Sequence, residues 1–289
     1  GIVLVDQKVC RAWRACVAAC PYKKIYYNWS TGKSEKCILC FPRLETGQAP
    51  SCFHSCVGRI RYLGMVLYDA DRLAAVASLP DDELVEGQRS LILDPSDPAV
   101  IAAARANGIP DVDVEYARRS PVYRFVKTWK LALPLHVEYR TLPMLFYVPP
   151  MAPVVSAVVD GKITHKSGGL FHDIDDSRIP LKFLAGMFGA GRDEHVRYAL
   201  RKQKAVRWYR RALSVGDIDQ ATAERMLREA DCTAGEAEEI YRLTALGGAA
   251  QRFVIPPMHR EMAIEAAGST ETFRRETGFG FIDPPKRGP

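Results

Sequence analysis

Apolar positions change their rhythm along this chain near residue 64. Upstream they come in short runs broken by cysteines. Ile25-Tyr-Tyr-Asn-Trp29 alternates, Ser30-Thr-Gly-Lys33 supplies a glycine-containing turn, and the return toward Lys36 predicts a hairpin. Gly1 to Asp6 predicts a further short strand. Downstream the pattern turns mostly helical. Ser96 followed by Pro98 predicts a capped helix to about Ala106. The longest predicted helix runs from Arg192 to about Val215. Thr233-Ala-Gly-Glu236 is a capping-box signature that opens another helix, to about Leu246. Tyr139 to Val148 predicts extended chain, and the Pro and Gly clusters at 149–153, 161–169 and 186–191 predict loops. Leu142 to Val159 is the most apolar stretch, but Pro143, Pro149, Pro150 and Pro153 exclude a straight lipid-spanning helix there.

Composition adds a globular class, with 47% hydrophobic and 26% charged positions in 289 residues, enough for one large domain or two smaller ones. The net charge of +6 is unevenly placed. Residues 1–64 hold ten Lys and Arg against three acids, and the remainder is almost neutral. Cysteine is just as local: Cys10, Cys16, Cys20, Cys37, Cys40, Cys52 and Cys56 crowd the first 56 residues, and only Cys232 lies beyond. The chain shows no initiator Met and no signal peptide, which leads to the expectation that its true N-terminus lies upstream.

The first cysteine run, Cys10-Arg-Ala-Trp13-Arg-Ala-Cys16-Val-Ala-Ala-Cys20-Pro21, follows the C-x2-C-x2-C-x3-C-P spacing of bacterial ferredoxins, with Trp13 at the second ligand position. An indole cannot ligate iron, so the expected product is a three-iron 3Fe-4S cluster held by Cys10 and Cys16. Cys20, before its proline, crosses to a four-iron cluster. The second run, Cys37-Ile-Leu-Cys40 and Cys52-Phe-His-Ser-Cys56, repeats the grammar with its middle stretched. Cys37, Cys40 and Cys52 serve one 4Fe-4S cluster, and Cys56 crosses to another.

A four-thiolate zinc site is the alternative for the second run. It would strand the first three cysteines. Disulfides fit neither the spacing nor the lack of an export signal. The positive charge of residues 1–64 matches the negative charge of thiolate-ligated clusters. The competing explanation is a solvated or nucleic-acid-facing surface, with Tyr22, Tyr26, Tyr27, Trp29 and Phe41 as stacking groups; the same aromatics would also furnish a dry shell around clusters. By the crossing rule no cluster is complete here. Three four-ligand clusters and one three-ligand cluster need fifteen cysteines; seven are present, so eight are expected upstream or on another chain.

Cys10 to Cys16, Cys20-Pro-Tyr-Lys-Lys-Ile-Tyr-Tyr-Asn-Trp29, Gly32 to Cys37, Cys52 to Cys56 and Val57-Gly-Arg-Ile-Arg-Tyr-Leu-Gly64 resemble the iron-sulfur beta subunits of respiratory nitrate reductases. So do Ser120-Pro-Val-Tyr123, Trp129 to His136, Glu138 to Met144, Tyr147 to Pro150, Arg178-Ile-Pro180, Arg252 to Pro256 and His259-Arg-Glu261. The resemblance covers essentially the whole chain and corresponds to the C-terminal half or more of such a subunit. Departures are Ala12, where the family often has glycine, and a short C-terminal tail.

The resemblance implies an α+β chain. A ferredoxin-like cluster-binding segment with small hairpins at 1–64, incomplete at its N-terminus, precedes a mainly helical docking domain at 65–289. It also implies three 4Fe-4S clusters and one 3Fe-4S cluster in the full subunit. Electrons would pass from a haem b, quinol-oxidising gamma subunit in the membrane to a molybdenum alpha subunit, at the cytoplasmic membrane face. Alternatives are the beta subunits of nitrite oxidoreductase or of dimethyl sulfide, ethylbenzene, chlorate or selenate enzymes and, from another class, a zinc-ribbon nucleic-acid binder.

The remaining chemistry is thin. No nucleophile and base, phosphate loop or carboxylate dyad stands out, so no catalytic residue is assigned. The helix at 192–215 carries Arg197, Arg201, Lys202, Lys204, Arg207, Arg210 and Arg211, for an acidic partner, lipid headgroups or simply solvent. Of His54, His136, His165, His172, His195 and His259, only His54 lies within a cysteine run. Cys232 is expected to be an inert thiol.

Overall fold

The computed structural model describes residues 2–44, 47–151, 157–159, 162–164 and 173–256. The chain forms two compact units: one runs to Cys52, and the other is Phe53–Ile255.

In the first unit the expected hairpin forms. Strand β1 (Ile25–Asn28) pairs antiparallel with β2 (Lys33–Lys36), Ile25 opposite Lys36 and Asn28 opposite Lys33. Asn28 closes the turn: its carbonyl accepts from the Gly32 amide at 2.9 Å, and its side-chain oxygen accepts from the Ser30 amide at 3.0 Å. Gly32 has φ +66°, a left-handed conformation that glycine reaches without steric cost. Residues 2–6 do not form the expected strand. Side chains meet their neighbourhood where a ladder would: Lys36 Nζ donates to the Val3 carbonyl at 2.6 Å, and Gln7 Nε2 occupies the Ser34 carbonyl at 2.9 Å.

The second unit is mainly helical around a small sheet that local patterning does not reveal. Strand β3 (Arg61–Gly64) lies between β4 (Leu145–Tyr147), antiparallel, and β7 (Phe253–Val254), parallel. Tyr62 on β3 is fully buried, its ring 4.1 Å from that of Phe125, which meets Trp129 edge-on at 5.0 Å. Gly64 ends β3 where Ser120 passes so closely that a Cβ would sit 1.9 Å from its hydroxyl. Separately, β5 (Ala157–Val159) and β6 (Lys162–Thr164) pair antiparallel, so part of the loop expected at 161–169 is strand; 165–169 lies outside the described residues.

The helix expected from Ser96 is Pro98–Ala106, and its cap is Asp97, whose carboxylate accepts from the Ala99 amide. Ser96 instead donates its amide to Asp94. Pro98 fits the first turn because no amide is needed there. The long helix is Glu194–Ser214, and Thr233 and Glu236 form a full capping box before Ala234–Tyr241. The stretch 139–148 is extended only over β4. Tyr139 closes a short 3-10 turn, and Arg140 follows in left-handed conformation, its guanidinium held by the Ala77 and Leu79 carbonyls. Gly186 to Phe188 belong to the helix Leu181–Phe188.

Three of the seven basic residues of this helix form ion pairs among the described residues. Arg197 pairs with Asp175 and Asp193, Arg210 with Glu238, and Arg211 with Asp217. Lys202 is buried, 3.1 Å from the Tyr198 hydroxyl. Leu200 and Val206 are in the core, as their spacing predicts. Among the described residues no helix is long and apolar enough to cross a membrane.

Candidate metal centre in the cysteine loops

Cys10, Cys16, Cys20, Cys37, Cys40, Cys52 and Cys56 are all free thiols on loops or short helical turns, and none is fully buried. Their backbone is unusual. Ala12, Arg14, Lys23, Leu39, Cys40 and Arg59 all have positive φ, between 48° and 61°. Side chains at left-handed positions cost free energy, and such strain gathers at functional sites. The consequence here is that amide groups turn toward sulfur. The Leu39 amide donates to Cys37 Sγ at 3.3 Å, and the Ile60 amide to Cys56 Sγ at 3.4 Å.

Amides also favour the thiolate at two further positions. The Ser34 amide, then that of Ala12, pulls the Cys10 thiol below the ordinary cysteine range, and nearby Lys33 adds to this. The Lys24 amide leads the groups that lower Cys20. Donors aimed at sulfur stabilise its charged form. Such thiols suit iron-sulfur ligation, in which hydrogen bonds to sulfur tune the potential.

The hairpin positions these loops through its lysines. Lys33 Nζ donates to the Cys10 carbonyl at 2.7 Å, and Lys36 Nζ to the Cys37 carbonyl at 2.7 Å. The sequence identifies both bases as excess charge, but not their task of tying β2 to both cysteine runs. Arg14 stacks over Tyr27 and Trp29 at 5.3 and 5.5 Å from the ring centres. Trp13 is 85% exposed and Trp29 79%. Of the candidate shell aromatics, Phe41 is buried, while Tyr26 and Trp29 face outward.

Among the described residues no three His, Cys, Asp or Glu side chains converge as a metal cage, so Cys37, Cys40 and Cys52 are not gathered into one. Cys40 Sγ points toward the Ser51 hydroxyl, 4.0 Å away. His54 is exposed, while His165, His172 and His259 lie outside the described residues. His136 contacts Glu138 at 2.8 Å, and His195 lies near Glu86 and Glu194. Cys232 contrasts with the other thiols: it is buried, and burial pushes it up to about 11.

Comparison with known proteins places both ends of this arrangement. A 4Fe-4S dicluster domain family model matches residues 1–66, and a respiratory nitrate reductase beta C-terminal model matches residues 151–234. The chain is 48% identical to the respiratory nitrate reductase 1 beta chain of Escherichia coli (strain K12), over 97% of this chain and 53% of that one. It is 36% identical to the respiratory nitrate reductase beta chain of Bradyrhizobium sp, over 94% of this chain and 76% of that one. The chlorate reductase subunit beta of Ideonella dechloratans is 38% identical over 66% of this chain. The chain spans about half the length of the first of these relatives.

Proposed function

We propose, because this chain belongs to the family of respiratory nitrate reductase beta chains, that it relays electrons within a membrane-associated nitrate reductase. The route runs from a haem b, quinol-oxidising gamma subunit to a molybdenum alpha subunit at the cytoplasmic membrane face. The observation that carries this reading is the pair of ferredoxin-spaced cysteine runs whose sulfurs receive backbone amides. Identity at 48% over nearly the whole chain, against 38% over two thirds for the chlorate enzyme's subunit, favours nitrate over related substrates.

In this reading residues 1–64 bind clusters and 65–289 dock to partners. Cys10 and Cys16 hold the 3Fe-4S cluster, with Trp13 filling the corner that has no thiolate. Cys37, Cys40 and Cys52 hold a 4Fe-4S cluster, and Cys20 and Cys56 each complete another with ligands from elsewhere. The bound clusters supply reversible one-electron oxidation and reduction. This chain's residues present thiolates, aim amides at them and surround them with fixed positive charge. Lys33 and Lys36 do this while holding the Cys10 and Cys37 carbonyls.

Iron, zinc and sulfide analysis of the anaerobically purified enzyme tests the reading, with electron paramagnetic resonance of its oxidised form. Iron, inorganic sulfide and an oxidised three-iron signal are expected, and Trp13→Cys should remove that signal by admitting a fourth iron. Zinc without iron and sulfide overturns the reading. An unchanged three-iron signal in a folded Trp13→Cys enzyme overturns the ligand assignment.

A further inference from the structure

Around the Cys56 loop the second unit gathers three guanidinium groups, of Arg59, Arg207 and Arg252, that form no ion pair among the described residues. Arg252, just before β7, is only 2% exposed. Its Nη2 donates to the Phe53 carbonyl at 2.9 Å and its Nη1 to the Arg61 carbonyl at 3.5 Å, while its Nε is buried without an acceptor. Arg59 Nε donates to the Gly247 carbonyl at 2.9 Å. Arg207 Nη2 donates to the Thr244 hydroxyl at 3.2 Å and lies over the Tyr241 ring. Arg59 and Arg207 also line a cavity of about 310 Å³ beside the Cys56 loop. All three arginines and Cys56 act electrostatically on the buried Tyr62 hydroxyl.

The contrast along one helix is informative. Arg197, Arg210 and Arg211 each meet a carboxylate, whereas Arg207, which faces this cavity, has no ion pair among the described residues. Arg59 and Arg252 have none there either. A buried guanidinium remains charged, and burying a charge without a counter-ion is unfavourable. Carbonyls satisfy N–H groups but leave the net charge in place. The Phe53 and Arg61 carbonyls that Arg252 holds lie on either side of Cys56 in the chain, and the Cys56 sulfur becomes anionic when it ligates metal.

The geometry points to Arg252 as the built-in counter-charge of the iron-sulfur cluster that Cys56 helps to hold, and so as the residue that sets its reduction potential, with Arg59 and Arg207 adding charge of the same sign. This rests on the electron-relay reading above. Arg252 is a positioning residue, because it touches no reacting atom and acts through the Cys56 loop it pins. A fixed cation favours the reduced cluster, which carries one more negative charge, and therefore raises its potential.

The test is a potentiometric titration of the assembled holoenzyme, followed by electron paramagnetic resonance. Arg252→Gln should shift one four-iron couple negative. At a fixed potential its oxidised-to-reduced ratio should rise about tenfold, about 59 mV for one electron, with the three-iron couple unmoved. Arg252→Lys should restore most of the shift. Arg207→Gln should move the same couple less, and it provides the reading where Arg252→Gln does not assemble. Arg210→Gln, which breaks the contact with Glu238, should move none. An unmoved couple in Arg207→Gln with full iron and sulfide overturns the inference, as does an equal shift in Arg210→Gln. Absence of iron and sulfide from the unmodified enzyme overturns the electron-relay reading instead.

Discussion

Up to Cys52, bases close on backbone carbonyls: Lys23 on Ala18, Lys33 on Cys10, Lys36 on Val3 and Cys37. In Phe53–Ile255 they mostly find carboxylates, or, like Lys127, cap the carbonyls of Arg89, Ser90 and Ile92 where the helix Leu84–Leu91 ends. Burial divides the same way. Phe41, Leu44, Ala49 and Pro50 are the buried apolar residues described in the first unit, whereas the second packs Tyr62, Phe125, Trp129, Phe146 and Leu200 into extended clusters. Left-handed non-glycine residues are also denser in the first unit, with Ala12, Arg14, Lys23, Leu39 and Cys40 within thirty residues. A region with little apolar packing and much local strain needs another source of order, and the thiols are placed to recruit one. The second unit has its own apolar clusters.

The largest expected effect tests that division directly. Stripping iron and sulfide from the reduced protein should remove hydrogen-exchange protection up to Cys52 and leave the amides of Tyr62, Phe125 and Leu200 protected. Equal loss in both units would break the comparison. Next, Gly64→Ala forces a Cβ into Ser120 and should destabilise the second unit by about 1–3 kcal/mol. Denaturant unfolding should show this without a change in cluster content.

Ala12→Gly acts on the other side and with the opposite sign. It relieves a left-handed alanine and should stabilise the first cysteine loop by about 1 kcal/mol, read as slower iron loss to a chelator. No change in that rate would deny that strain is stored there. The smallest effect is a pH dependence confined to the second unit. Burial, then Arg89, pushes His195 below the ordinary histidine value. Its contribution to stability is therefore present above about pH 6.5 and is lost as pH falls through the lowered folded value. His195→Gln should flatten the acid side of the melting-temperature profile.

The cysteine runs are readable in sequence because ligand spacing is a local requirement that iron chemistry imposes. The hairpin and the Thr233 capping box are readable for the same local reason. Asp97 displaced Ser96 as a cap because two adjacent residue types could both serve, and geometry chose the one directly before Pro98. The β4-β3-β7 sheet was not legible: strands of two to four residues carry too little periodicity, and their pairing is distant. Residues 2–6 do not form a strand beside β2; side chains take the carbonyls that a ladder would use, Lys36 that of Val3 and Gln7 that of Ser34. Arg252 was invisible as a site residue, since a buried arginine and an exposed one look alike in sequence.

The bond from Arg252 to the Phe53 carbonyl joins residues 199 positions apart, beside the parallel pairing of Leu63 with Phe253. During synthesis the Cys56 loop leaves the ribosome long before its far clamp does. At roughly 5–20 residues per second, the delay is about 10–40 s. Throughout that interval the loop lacks its final brace. Arrival of residue 252 then closes a window in time as well as a fold in space.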